Sequence, residues 1–184
     1  TVGGLGLLHL VEDGEIGAQG YILARKEEQA RHIFNAAKRM AAMSPYFANK
    51  IERYSTSLYY EKSFSSLIPL AGSAEGEDGK ATSFLLGDEI HEWRDAKLFD
   101  SVRQGIGVAK QPISWLISTA GLTEGFGWEH WNTCKSLIDG TLPPDPETLV
   151  VVFAADPADD IFDPDTWARA NPNLGVSVKR SFLE

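Results

Sequence analysis

The run Thr82-Ser83-Phe84-Leu85-Leu86-Gly87-Asp88-Glu89-Ile90-His91-Glu92 constrains the fold of this chain more than any other stretch. It is a short apolar strand that ends in two adjacent carboxylates. A strand delivers its C-terminal side chains to the rim of a sheet, where ligands bind in open α/β folds. Neighbours along a strand point to opposite faces, so Asp88 and Glu89 can act together only where the strand is already curling into its loop. Taken alone, the same residues also describe an exposed acidic loop after a buried strand, the commoner case for a bare apolar-Asp-Glu match. The rest of the chain has to choose between the two.

The surrounding pattern alternates. Thr1 to Val11 reads as a helix rich in Leu and Gly, and Gly20 to Ala24 as a short buried strand. Glu27 to Met43 is the clearest helix, with Ala30, Ile33, Phe34, Ala37, Met40 and Ala41 on one face at helical spacing. Ile51 to Leu70 reads as two or three short strands with Ser-rich turns, and Ala71 to Lys80 as a mobile loop. After the acidic strand come a polar helix near Asp95 to Gln104, a strand over Ile113 to Ala120 and a helix over Phe126 to Ile138. Thr141 to Pro146 is a Pro-rich connector, and the apolar run Leu149 to Ala155 is expected to be a strand covered on both faces. From Asp156 onward turn-formers dominate, with a short helix from Trp167 stopped by Pro172 and Gly175. Such alternation implies an α/β fold with a mainly parallel sheet flanked by helices.

Composition removes several classes of function. The 184 residues are enough for one ordinary domain, and 43% hydrophobic residues with five Trp exclude general disorder. No run approaches the ~18 apolar residues of a membrane helix, so no membrane partner is expected. The net charge of −9, with basic residues scattered, argues against a free-standing duplex-binding module. The single Cys134 excludes an internal disulfide, and without CxxC, HExxH or paired-His spacing no transition-metal site is expected.

A second constellation supports the first. Ile113 to Gly121 again reads as a strand, and it ends in the two hydroxyls of Ser118 and Thr119 followed by a glycine. Beside the Asp88 strand in one parallel sheet, its end would put those hydroxyls on the rim that carries the carboxylates. There they can sense a terminal phosphate and relay its loss to a moving segment. Alone, Ser-Thr-Ala-Gly is an ordinary strand-to-loop turn.

This series resembles the large subunit of tailed-phage terminases, the motor that packages viral DNA. The stretches that carry the resemblance are the Gly-rich first helix, Gln29 to Ala37, Leu86-Gly87-Asp88-Glu89-Ile90-His91-Glu92-Trp93, Gln111 to Gly121, and Trp167 to Gly175 with Ala-Asn-Pro-Asn-Leu-Gly. It implies a P-loop NTPase of the RecA/ASCE-like type over residues 1–155, lacking its first strand and phosphate loop. Residues 156–184 would be a linker toward a C-terminal nuclease domain that the chain does not contain. It further implies ATP and Mg²⁺ as cofactors, with Asp88 on the Mg²⁺ side through nucleotide and water and Glu89 as the catalytic carboxylate. Ser118, Thr119 and Gly121 would form the coupling motif. The implied partners are double-stranded DNA, a portal protein, a small terminase subunit and further copies in a ring, in the host cytoplasm on the procapsid. Gly87 departs from the family, where a bulkier apolar residue is usual; close backbone packing is the expected reason.

No G-x-x-x-x-G-K-[ST] occurs in the sequence. Thr1 is therefore read as the last hydroxyl of that loop or the residue after it, and the 184 residues alone are not expected to hydrolyse ATP. The runner-up takes Asp88 to His91 as the DExH box of a superfamily-2 helicase, with Ser118-Thr119-Ala120 as the motif that follows it. A third reading is a nucleotide-binding module without activity. Asp156, Asp159 and Asp160 are read as linker turns. His91 is read as packing beside or capping the loop, and Trp93, Trp128 and Trp131 as core or interface residues. Arg25 and Lys26 mark a solvated helix start, and Lys80 and Arg94 are candidates for a charge given to a neighbouring subunit.

Overall fold

The computed structural model describes residues 2–71 and 81–183. The chain falls into two compact units, Thr1–Asn132 and Thr133–Glu184. The first holds a six-stranded sheet, made of β1 (Gln19–Ala24), β2 (Ile51–Arg53), β3 (Leu58–Tyr60), β4 (Ser65–Ala71), β5 (Phe84–Gly87) and β6 (Ile113–Leu116). The strand order is β2-β3-β4-β1-β5-β6; β4, β1, β5 and β6 run parallel, and β3 and β2 extend the sheet antiparallel beyond β4. The helices are α1 (Val2–Glu12), α2 (Glu27–Met43), α3 (Lys97–Arg103) and α4 (Gly125–Ile138), the last running on into the second unit. The expected loop over Ala71 to Lys80 begins in the last residue of β4, and the remainder lies outside the described residues.

Side-chain alternation explains why the two central parallel strands, β1 and β5, are apolar on both faces over nearly their whole length. Ile22 of β1 and Phe84 and Leu86 of β5 join one core with Leu7, Leu10, Phe34, Ala37 and Leu67. Tyr21, Leu23 and Leu85 point into a second core with Ile90, Trp93, Phe99, Val102 and Phe126. Both faces are dry, as a parallel sheet between helical layers requires. Pro69 of β4 sits past the last β3 rung, Leu58 opposite Leu67, where a missing N–H costs that ladder nothing.

Two glycines permit close approaches. A Cβ on Gly6 of α1 would stand 2.8 Å from Leu86 Cδ1 and 2.9 Å from Leu67 Cδ2. In β1, a Cβ on Gly20 would stand 2.0 Å from Cζ of Phe84, which lies over it from the paired strand. The end of α1 is tied to β6 by a polar chain: Trp115 Nε1 donates to His9 Nε2 at 2.8 Å, and His9 Nδ1 faces Asp13 Oδ2 at 2.9 Å. With Nε2 accepting, the ring proton sits on Nδ1 and goes to the carboxylate.

In the second unit, α5 (Pro164–Ala170) starts three residues before the expected position. The Asp163 side chain accepts from Asp165 N at 2.9 Å as its N-cap, and Pro164 opens the helix. Asp159 Oδ2 accepts from Asp156 N at 2.9 Å and pairs with Arg169 at 2.7 Å, and Asp160 accepts from Phe162 N, so these acids shape local turns. The expected strand over Leu149 to Ala155 does not form. The segment has no ladder partner among the described residues, and Leu149 and Phe153 are 81% and 59% exposed. An apolar run becomes a strand only when a neighbouring backbone satisfies its N–H and C=O groups. The strand expected over Ile113 to Ala120 is likewise shorter, ending at Leu116. Trp93 is buried as expected, whereas Trp128 and Trp131 are partly exposed at 36% and 38%. No described helix is long and apolar enough to cross a membrane.

Two outcomes test this packing. Gly20→Ala should destabilise the intact protein by about 1–3 kcal/mol through overpacking, and adding Phe84→Leu should recover part of the loss. Urea unfolding of the two single variants and the double variant measures this, and strict additivity would contradict the stacking. Among the described residues β6 pairs only with β5, and its outer edge is a template for association. Residues 1–184 expressed alone should therefore self-associate in size-exclusion chromatography with light scattering; a stable monomer would refute this.

Candidate functional site

The ladders of β5 continue beyond its last residue. Asp88 N donates to Leu23 O at 3.2 Å, Ile117 N to Gly87 O at 2.9 Å, and Ile90 N to Ile117 O at 3.3 Å. These bonds hold residues 88–90 and 117 to one another after regular strand geometry has ended. Glu89 then adopts a left-handed conformation, with φ 49° and ψ 46°, and caps a 3-10 turn over Ile90–Glu92. This is the curl that lets two consecutive carboxylates serve one rim, at a conformational cost of about 1–2 kcal/mol for a non-glycine residue. Local bonds secure it: Glu89 N donates to Asp88 Oδ1 at 3.0 Å, Glu92 N to Glu89 O at 2.9 Å, and Trp93 Nε1 to Asp88 O at 3.1 Å.

The parallel register pairs Gly87 with Leu116, so the residues after each strand meet. Thr119 Oγ1 lies 3.4 Å from Glu89 Oε2, and His91 Nδ1 lies 3.1 Å from the same oxygen. His91 Nδ1 is also 3.1 Å from Ser118 Oγ, to which the His91 backbone N–H donates at 3.1 Å. Ser118 Oγ in turn donates to Thr119 O at 3.0 Å. Sequence reasoning placed Ser118 and Thr119 beside the acidic pair, and the geometry does so. It assigned His91 only a packing or capping part. The ring's link to Glu89 depends on a turn conformation that no periodicity encodes.

Gly121 joins the site by its size. A Cβ there would stand 2.4 Å from His91 Cβ. Gly127 of α4 is as tight, 2.6 Å from His91 Cα and from Ile90 O. Gly87 has the close packing expected of it, since a Cβ would meet Leu116 Cδ2 at 2.6 Å and Trp93 at 3.2 Å. Behind the turn, Trp93 stacks on Phe126, with centroids 5.6 Å apart.

Burial, and then the adjacent Glu89 charge, push the Asp88 carboxyl above its ordinary range. Across the site, Gln29 donates through Nε2 to Glu92 Oε2 at 2.9 Å and accepts from Lys26 N through Oε1 at 3.1 Å. That amide joins the start of α2 to the turn after β5, and its bond holds the Glu92 carboxyl below the usual range. Lys26 is the N-cap of α2, and Arg25 and Lys26 are exposed, as is Arg94. Thr1 and Lys80 lie outside the described residues. Among the described residues, no three or more His, Cys, Asp or Glu are grouped to hold a metal by themselves. A depression lined by Ala48 to Arg53 and Glu61 lies at the opposite edge of the sheet and holds none of these groups.

Known proteins are similar to this chain in sequence or in fold. Protein YmfN of Escherichia coli (strain K12) is 36% identical over 107 residues, covering 58% of this chain and 23% of YmfN. The solved structure of the HK97 bacteriophage large terminase is similar in fold, with a TM-score of 0.84 at 21% identity, covering 99% of this chain and 38% of that one. The chain thus spans well under two thirds of the length of either protein. The family described as "Terminase large subunit, ATPase domain" matches residues 1–128. A match over most of the chain, on a sheet whose strand ends carry the acidic pair and the facing hydroxyls, places this chain in the terminase large subunit ATPase-domain family.

Proposed function

We propose that this chain is the ATP-hydrolysing part of a motor that packages double-stranded viral DNA. In this reading Asp88 is the carboxylate on the Mg²⁺ side of the nucleotide, and Glu89 orients the attacking water. The observation that carries it is the convergence on Glu89 Oε2, to which Thr119 Oγ1 donates and beside which His91 Nδ1 lies, on a carboxylate already aimed by its left-handed backbone.

Each residue's part follows from its surroundings. Asp88 is half-buried and its charged form is disfavoured by burial and by Glu89, so a hard cation would stabilise it. Its oxygen donors suit Mg²⁺, which is commonly held by one or two carboxylates with phosphate and water completing the shell. When bound, the ion neutralises charge on the transferring phosphoryl group. Glu89 accepts its described side-chain contacts through Oε2, and no described residue donates to Oε1, which can accept from water. Ser118 and Thr119 form the first loop after β6, placed to report a change at Glu89 to the rest of that loop. Family membership supports this reading over the helicase alternative.

At the scale of the whole protein we propose a ring of copies acting with a portal protein and a small terminase subunit, in the host cytoplasm on the procapsid. The proposal includes a nuclease domain beyond residues 156–184. It is supported by the family.

Full-length variants separate the two carboxylates. Asp88→Asn should weaken Mg²⁺-dependent nucleotide binding about tenfold or more. Glu89→Gln should bind within roughly threefold of wild type while hydrolysis falls by about 10²-fold or more. Nucleotide titration with and without Mg²⁺, beside phosphate-release rates, reads both; equal losses of binding would sink the division of roles. Titrating the wild type in the same assay also excludes or establishes a module that binds without hydrolysis. For the hydroxyls, Ser118→Ala and Thr119→Ala should spare nucleotide binding and lower DNA translocation more than hydrolysis. Translocation that falls only in proportion to hydrolysis would make the segment structural.

A further inference from the structure

His91 is the side chain that touches both halves of the site. Its Nδ1 lies 3.1 Å from Glu89 Oε2 and 3.1 Å from Ser118 Oγ. Its backbone N–H also reaches Ser118 Oγ, at 3.1 Å. The bonding pattern assigns the ring proton. A carboxylate oxygen only accepts, and the Ser118 hydroxyl proton goes to Thr119 O at 3.0 Å, which leaves Ser118 Oγ as an acceptor too. Nδ1 therefore carries a proton and donates to Ser118 Oγ, while Glu89 Oε2 stands beside it at 3.1 Å, within ion-pair reach. A small shift of the 118–119 loop would free that N–H to turn to the carboxylate.

The setting of the ring is tightly built. Gly121 and Gly127 both lack the Cβ that would strike His91, at 2.4 Å and 2.6 Å. The turn that carries it is pinned by Ile90 N to Ile117 O and by Trp93 Nε1 to Asp88 O. The His91 side chain is only 22% exposed.

We propose that His91 is a positioning residue, whose Nδ1–H sets the orientation of the Glu89 carboxylate according to where the Ser118-Thr119 loop stands. With the loop as it stands the ring donates to Ser118 beside Glu89; with the loop displaced its N–H turns to the Glu89 carboxylate and reorients it. Coupling then runs in both directions, since whatever moves Glu89 also biases the loop. This inference rests on Glu89 being the catalytic carboxylate.

The test uses the full-length protein and three substitutions. His91→Leu keeps volume without the donor, His91→Ala removes both, and His91→Asn restores an N–H near the Nδ1 position. His91→Leu and His91→Ala should lower kcat roughly 10- to 100-fold with KM for ATP and nucleotide affinity within about twofold of wild type, because a misplaced group slows the reaction without loosening the substrate. His91→Asn should recover a large part of that loss. His91→Leu within about twofold of wild-type kcat, or failure of His91→Asn to improve on His91→Ala at equal thermal stability, would each overturn the inference. Glu89→Gln is the separating control. If it hydrolyses ATP normally, the underlying reading fails; if it is inactive while His91→Leu is not, only the role of His91 fails.

Discussion

The site depends on β5 being held from both sides by parallel ladders that outlast the strand. Bonds from Asp88 N to Leu23 O and from Ile117 N to Gly87 O carry the register past the point where side chains leave the core. Parallel pairing sends every strand to the same edge, so the chemistry after β5 and after β6 meets without a long-range loop having to find it. An antiparallel β6 would have sent its hydroxyls to the opposite edge. The two apolar cores make that pairing stable by drying both faces of β1 and β5.

Upon this frame rests a strained but well-supported turn. Holding Glu89 in the left-handed region costs about 1–2 kcal/mol. The three surrounding hydrogen bonds, from Glu89 N, Glu92 N and Trp93 Nε1, each return about 1 kcal/mol net. Trp93, packed against Phe126 and close to Gly87, adds its bond to the two made by the turn's own backbone. Small residues at 87, 121 and 127 leave room for the turn residues Ile90, His91 and Trp93.

Much of this was legible in the residues. The helical spacing of Ala30, Ile33, Phe34, Ala37, Met40 and Ala41 predicts one packed face; Ala30, Phe34, Ala37 and Ala41 are buried and Ile33 partly so, whereas Met40, toward the end of the helix, is 41% exposed. The apolar strand ending in Asp88-Glu89 and the later strand ending in Ser118-Thr119 predict a shared rim, and the register delivers it. Leu149 to Ala155 shows the opposite outcome. Its composition is that of a buried strand, yet it is largely exposed and has no ladder partner among the described residues, because composition states what a segment tolerates and a partner decides what it becomes. His91 packs beside the loop as expected, against Gly121 and Gly127, but its nearness to Glu89 and Ser118 is not legible in the sequence, because two residues of separation carry no directional information once the backbone leaves strand geometry.

By itself, the sequence determined the alternation of elements, the apolar character of the parallel strands and the residue types available at their ends. Those follow from local propensity and hydrophobic period, which are written in neighbouring residues. Tertiary structure alone decided that β5 lies between β1 and β6, that Glu89 turns left-handed, and that one imidazole nitrogen faces both a carboxylate and a hydroxyl from another strand. These are relations between residues about thirty positions apart or more, or backbone states held by distant packing. Free energies of that kind depend on which surfaces meet, and no local pattern records them.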